Sequence, residues 1–237
     1  MKKILIATVS LLALTLSALT ASAQTRSRED ILKEIKTKRA DLVKLEKALL
    51  LTSEEDQAAY ASFLKQPDTG LIRLLPREDY DCKIVSSVPG GGSYYSFTER
   101  SNEYGQSDLG LEQGYLKTGF AGADYGILTM LGDVPLESVS LETTATNILA
   151  VHQPAADEPQ ARIEQRRWSD GTIVDETTIF KDRLPLKANS TYLLRAILYN
   201  SHDCLVAFRV VRIDSDGSAI ILWKLLKKYP KPYLARN

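Results

Sequence analysis

The apolar and polar positions change period along this chain. Residues 4–19 are apolar or small with no period; Lys2 and Lys3 precede them and Ala21-Ser22-Ala23 follows. A basic start, an apolar core and a small-residue site are the layout of a secretory leader cleaved before Gln24. The run is short for a bilayer span, which needs about 20 apolar residues, and no cysteine follows it to carry a lipid. The reading is a signal peptide over 1–23 and an exported mature chain, periplasmic or extracellular. No later segment is long and apolar enough to predict a membrane span.

Over residues 27–51 the period becomes helical. Ile31, Ile35, Leu42, Leu45 and Leu49 fall at spacings of 4, 7, 3 and 4, a coiled-coil stripe with Lys38 at the one skipped seam position. Ser27 suits the N-cap, with Glu29 and Asp30 in the first turn. Such a stripe either faces its own domain or joins two copies, so a homodimer through this helix is one expected partnership. Thr52-Ser53-Glu54-Glu55 reads as a capping box opening a short helix to about Gln66, ended by Pro67-Asp68-Thr69-Gly70. Residues 24–66 are read as a helical arm and 67–237 as a β-rich domain.

Further on, the period shortens to two. Strands are expected over 82–88 and 93–98 as a hairpin across Gly90-Gly91-Gly92, and over 109–120 with bulges at its glycines. Others are expected over 125–131 and 139–151, and over 162–168 and 172–181 as a hairpin across Ser169-Asp170-Gly171. Residues 191–200 are apolar on both faces and predict a central strand. Residues 204–213 and 219–226 flank the turn Asp214-Ser215-Asp216-Gly217. Roughly nine or ten short strands, with no alternation of strand and long helix, predict a mainly β fold. The expected architecture is an antiparallel β-sandwich or barrel-like domain preceded by a short α-helical arm.

Composition adds little against this. Hydrophobic residues make up 44% of 237 positions, ordinary for a folded domain. Losing a leader removes Lys2 and Lys3 and leaves 28 basic against 30 acidic residues, net −2. Without a basic excess no nucleic-acid partner is expected. The cysteines are Cys82 and Cys204. An exported protein can keep a disulfide between them, and two buried free thiols are the alternative. Two lone cysteines do not make a zinc site by themselves, and no metal or cofactor is expected.

Motifs with known chemistry are absent or poor. The glycine run lacks the Gly-Lys-Ser/Thr ending of a phosphate loop. Asp214 to Gly217 opens like a calcium loop, but a strand begins at Ala219 where further ligands belong. His202 and Asp203 are adjacent on a strand and point to opposite faces, a poor base pair. What remains is the stretch from Tyr94 to Tyr125. There Tyr94, Tyr95, Tyr104 and Tyr125 alternate with the acids Glu99, Glu103 and Asp108. Tyrosine offers an apolar face and a polar tip, suited to glycan or protein contact, though the same residues also build cores.

The expected function is an exported binding or structural module, with a protein or glycan of the cell envelope as partner. The alternative is an envelope glycan hydrolase using a carboxylate pair. Two inward-facing acids within about 5–10 Å in a cleft would mark the enzyme.

Overall fold

The computed structural model describes residues 26–102, 105–174 and 178–235. The leader, Glu103 and Tyr104 lie outside the described residues. The chain divides into two compact units, Met1–Leu42 and Val43–Asn237. The first holds most of helix α1 (Arg28–Leu49). The Asp30 N–H donates to Ser27 Oγ at 3.0 Å, and Glu34 pairs with Arg26 and Lys38. Ile31, Ile35 and Leu42 of its apolar stripe are exposed.

The second unit begins in the last turns of α1 and continues through α2 (Glu54–Ala59) and α3 (Ala61–Leu64). The Ser53 hydroxyl accepts the Asp56 N–H at 3.0 Å, capping α2. Residues 43–66, grouped with the arm in the sequence, join the β-rich unit. Phe63 is buried in its core and Asp56 pairs with Arg212 at 2.6 Å.

The fold is mainly antiparallel β and sandwich-like. A five-stranded sheet runs in the order β1 (Thr69–Leu74), β11 (Ala219–Tyr229), β10 (His202–Ile213), β9 (Ser190–Leu198), β5 (Tyr125–Gly132). A four-stranded sheet runs β2 (Tyr94–Tyr95), β3 (Leu109–Glu112), β4 (Tyr115–Lys117), β8 (Arg183–Pro185), and β6 (Thr172–Val174) pairs with β7 (Thr178–Phe180). The large sheet ends at β1 and β5 and closes no barrel.

One face of the large sheet packs on the small sheet. Tyr192, Phe208 and Trp223 meet Tyr95, Phe97 and Leu111 there. Tyr192 and Phe208 stack at 5.2 Å, and Phe97 meets Trp223 edge-on at 5.3 Å. The other face is covered by α4 (Thr144–Val151), α5 (Glu158–Asp170) and β7, whose Leu149, Trp168 and Phe180 pack with Ile127, Leu193 and Leu205. Burial on both sides is why β9 has no polar face: all nine of its residues are buried.

Several expected strands take other forms. Residues 82–88 form no strand; a π-helical turn covers Glu78–Lys83, and Glu46 captures the Ser87 N–H at 3.0 Å. The glycine run is a tight 3-10 turn rather than a hairpin loop. Gly91 has φ +63°, and a Cβ there would lie 2.5 Å from the Asp81 nitrogen, a position open only to glycine. Tyr94 pairs instead with Gly110. Residues 109–120 contain a hairpin: Gln113 and Gly114 carry φ of 52° and 72°, the left-handed pair of a tight two-residue turn.

Residues 144–151 and 158–170 are helices. Asp157 caps the second by accepting the Gln160 N–H at 2.9 Å, and the Gly171 N–H closes it on the Arg167 carbonyl at 3.0 Å. Ala161 and Trp168, seven apart, turn inward while charged neighbours face solvent, so a helical seam there mimics a broken period of two. The cysteines are free. Cys204 is buried on β10 and Cys82 is exposed on the π turn, so the two thiols face different environments and form no bridge.

Candidate functional site

The residues singled out between Tyr94 and Tyr125 do not assemble into one exposed face. Tyr94 is buried edge-on against Phe120 at 5.0 Å. Tyr95 sits between the sheets, 5.3 Å from Phe97, and burial pushes its hydroxyl up to about 12. Tyr125 lies on the helix-covered face, its hydroxyl bonded to His152 Nε2 at 2.9 Å. Asp108 is fully buried and bonded to His202, whereas Glu99 is exposed. Strand alternation and the second sheet turn these aromatic rings inward.

Tyr94 and Tyr125 nevertheless border two neighbouring cavities. The larger, about 370 Å³, is lined by Arg77, Tyr94, Glu112, Lys117, Phe120 and Arg183 among others. The smaller, about 280 Å³, is lined by Tyr125, Gln165 and Arg166 among others. Thr118, Gly119, Ser169 and Asp182 belong to both.

Backbone bonds tie these walls together. The Thr118 N–H donates to the Asp182 carbonyl and the Asp182 N–H to the Trp168 carbonyl, each at 3.0 Å. The end of β4, the start of β8 and the end of α5 therefore form one junction. Gly126 completes it: a Cβ there would lie 2.0 Å from Thr118 Oγ1, so a larger residue would displace the threonine.

Charge in the larger cavity is organised around Glu112. Its carboxylate bonds Lys117 at 2.5 Å and Arg77 at 3.3 Å. The Lys117 hydrogen bond, with Arg77 behind it, holds Glu112 below the usual carboxylate range against the opposing effect of burial. Arg183 stacks over the exposed ring of Tyr115 at 5.5 Å. Two buried atoms on the shared wall, Thr118 Oγ1 and Asp182 Oδ1, find no hydrogen-bond partner among the described residues. Buried polar atoms are rarely left so.

Two further acids are engaged separately. Asp124 accepts the Tyr199 N–H at 2.8 Å, and Asp133 pairs with Arg209 at 2.6 Å. Arg77, Thr118, Asp182 and Arg183 carried no sequence signal as site residues. They come from separate segments, and only the tertiary junction brings them to one cavity. Among the described residues, no helix is long and apolar enough to cross a membrane. Compared with known protein families, curated proteins and solved structures, the chain finds no match in any of the three.

Proposed function

We propose that the protein is an exported binding module and that the paired cavities seat a hydroxyl-rich ligand, a glycan bearing acidic groups. The observation that carries this reading is the pair of buried atoms, Thr118 Oγ1 and Asp182 Oδ1, on the wall common to both cavities. Each can bond a sugar hydroxyl, and an unmet buried polar group costs about 1–3 kcal/mol. Tyr94 and Phe120 add ring surface, and Arg77, Lys117 and Arg183 outnumber Glu112 and Asp182 on the larger cavity. Its volume falls in the range of small-ligand sites, about 300–1,000 Å³. Export rests on the leader pattern from Lys2 to Ala23, and N-terminal sequencing of secreted material should begin at Gln24.

Titration calorimetry with a neutral and a uronic-acid oligosaccharide tests the ligand class. The acidic sugar is expected to bind more tightly. Asp182→Asn should weaken it about tenfold or more, the loss expected for one hydrogen bond to a charged group. Absence of saturable binding, or unchanged binding in the variant, would count against the reading.

The hydrolase alternative has one observation in its favour: Glu112 and Asp182 line the same cavity. A general acid at neutral pH needs a raised pKa, and the Lys117 and Arg77 pairs lower that of Glu112. Sustained release of reducing ends, abolished in Glu112→Gln, would move the assignment to the enzyme.

A further inference from the structure

His202 and Cys204 stand two residues apart on β10, so their side chains leave the same face of the strand. Asp108 immediately precedes β3 in the opposing sheet. One ligand atom from each, a carboxylate oxygen, a ring nitrogen and a sulfur, lie within 4.8 Å of one another. Asp108 and Cys204 are fully buried, while His202 keeps 13% of its side chain exposed at the rim.

Each group is held from behind. The second carboxylate oxygen of Asp108 accepts the Phe97 N–H at 2.7 Å and the Ser96 hydroxyl at 3.4 Å. His202 Nδ1 is bonded to Ser201 Oγ at 2.9 Å, and that hydroxyl reaches Gln106 Oε1 at 3.1 Å. The ring is thereby fixed with Nε2 inward, 2.5 Å from Asp108 Oδ1. Among the described residues, no lysine or arginine forms an ion pair with Asp108.

We propose that Asp108, His202 and Cys204 form a zinc-binding site between the two sheets. Carboxylate, imidazole and thiolate are the ligands zinc prefers, at about 2.0–2.3 Å, and outer-sphere bonds such as those from Ser201 and Phe97 are how proteins orient them. Tetrahedral corners at those bond lengths are about 3.3–3.6 Å apart. The Asp108–His202 contact, now 2.5 Å, must open by about 1 Å, and the sulfur, within 4.8 Å of both, must close in by about as much.

Charge balance favours the same ion. One carboxylate and one thiolate neutralise Zn²⁺, leaving an uncharged buried site. Zinc binds the thiolate of Cys204, not the thiol. Binding therefore forms S–Zn and N–Zn bonds and releases to solvent both the thiol proton and the proton shared by His202 Nε2 and Asp108 Oδ1, with no change of oxidation state. Three protein ligands leave a fourth position for water on the His202 side.

The test is metal loading of tag-free protein. Dialysis against zinc should leave one zinc per chain. Cobalt(II) in its place should show a thiolate-to-metal charge-transfer band. Asp108→Asn and Cys204→Ser should each weaken binding at least about tenfold, while Cys82→Ser keeps both the metal and the band. Should Cys204→Ser fail to fold, His202→Gln at the rim provides the same reading on a folded protein. Substoichiometric zinc, a cobalt complex without the band, a band lost in Cys82→Ser, or full affinity in His202→Gln would each overturn the site.

Discussion

The two faces of the large sheet treat buried charge differently where β10 begins. On the helix-covered face, Asp203 is paired with Arg195 through one guanidinium edge, Nη2 to Oδ2 at 2.8 Å and Nε to Oδ1. Arg195 also donates to the Leu149 carbonyl at 3.0 Å and lies over the Tyr229 ring at 3.1 Å. Every charge there has its counter-charge from the protein. One residue earlier, on the sandwich face, His202 joins Asp108 and Cys204 without a lysine or arginine. The first cluster is complete as a structural pair. In the second, a carboxylate, an imidazole and a thiol converge, with one proton shared between Asp108 and His202. Adjacent residues on one strand thus serve two purposes because the pleat sends them into different layers.

The largest effect should come from breaking the complete cluster. Asp203→Ala leaves the Arg195 guanidinium buried without its partner and should cost about 3–5 kcal/mol. The urea midpoint measures it. Replacing both, Arg195→Met with Asp203→Leu, should recover most of the loss, because the penalty comes from an orphaned charge rather than from a missing bond. A loss under about 1 kcal/mol in the single variant is the value for an exposed pair and would break the comparison.

On the sandwich face the loss should be smaller. Asp108→Ala, measured in the presence of a chelator, removes the acceptor of the Phe97 N–H and should cost about 1–3 kcal/mol. The remaining partner is an imidazole, which is stable uncharged, whereas a guanidinium is not. A cost equal to that of Asp203→Ala would mean that the two clusters are energetically alike.

This asymmetry bears on what the sequence can disclose. The β9–β10–β11 portion was legible because its apolar residues are long, β-branched or aromatic runs, punctuated by a turn at Asp214 to Gly217 whose bonds close as expected. The helices at 144–151 and 158–170 were not. Each buries only a few residues on the sheet, and the Asp157 cap and the Gly171 stop compete with an apparent period of two. Of the site, Asp108 was visible as an acid among tyrosines. Its partnership was hidden, because His202 and Cys204 lie almost a hundred positions away and meet it only when the sheets stack. In the sequence Thr118 falls inside an expected strand and Asp182 just past one; the lack of partners for their side-chain oxygens among the described residues exists only in three dimensions.

The smallest predicted effect concerns the helix-covered face again, through His152. Its ring is edge-on to Trp168 at 5.7 Å and bonded to the Tyr125 hydroxyl at 2.9 Å. Burial pushes the imidazole below its ordinary value; Glu164 opposes this, while Arg195 and Arg167 reinforce it. The unfolded chain, with a histidine pKa of about 6.5, therefore takes up this proton before the folded one. The stability linked to His152 is complete above about pH 6.5 and falls as the pH drops through that value toward the lower folded one. His152→Gln should flatten this part of the profile. Acid loss in the variant should begin only where carboxylates such as Asp56, held low by its Arg212 hydrogen bond, take up protons. Urea midpoints from pH 8 to pH 5 for both proteins decide the point. Parallel curves would show that the helix-covered face carries no acid-sensitive histidine.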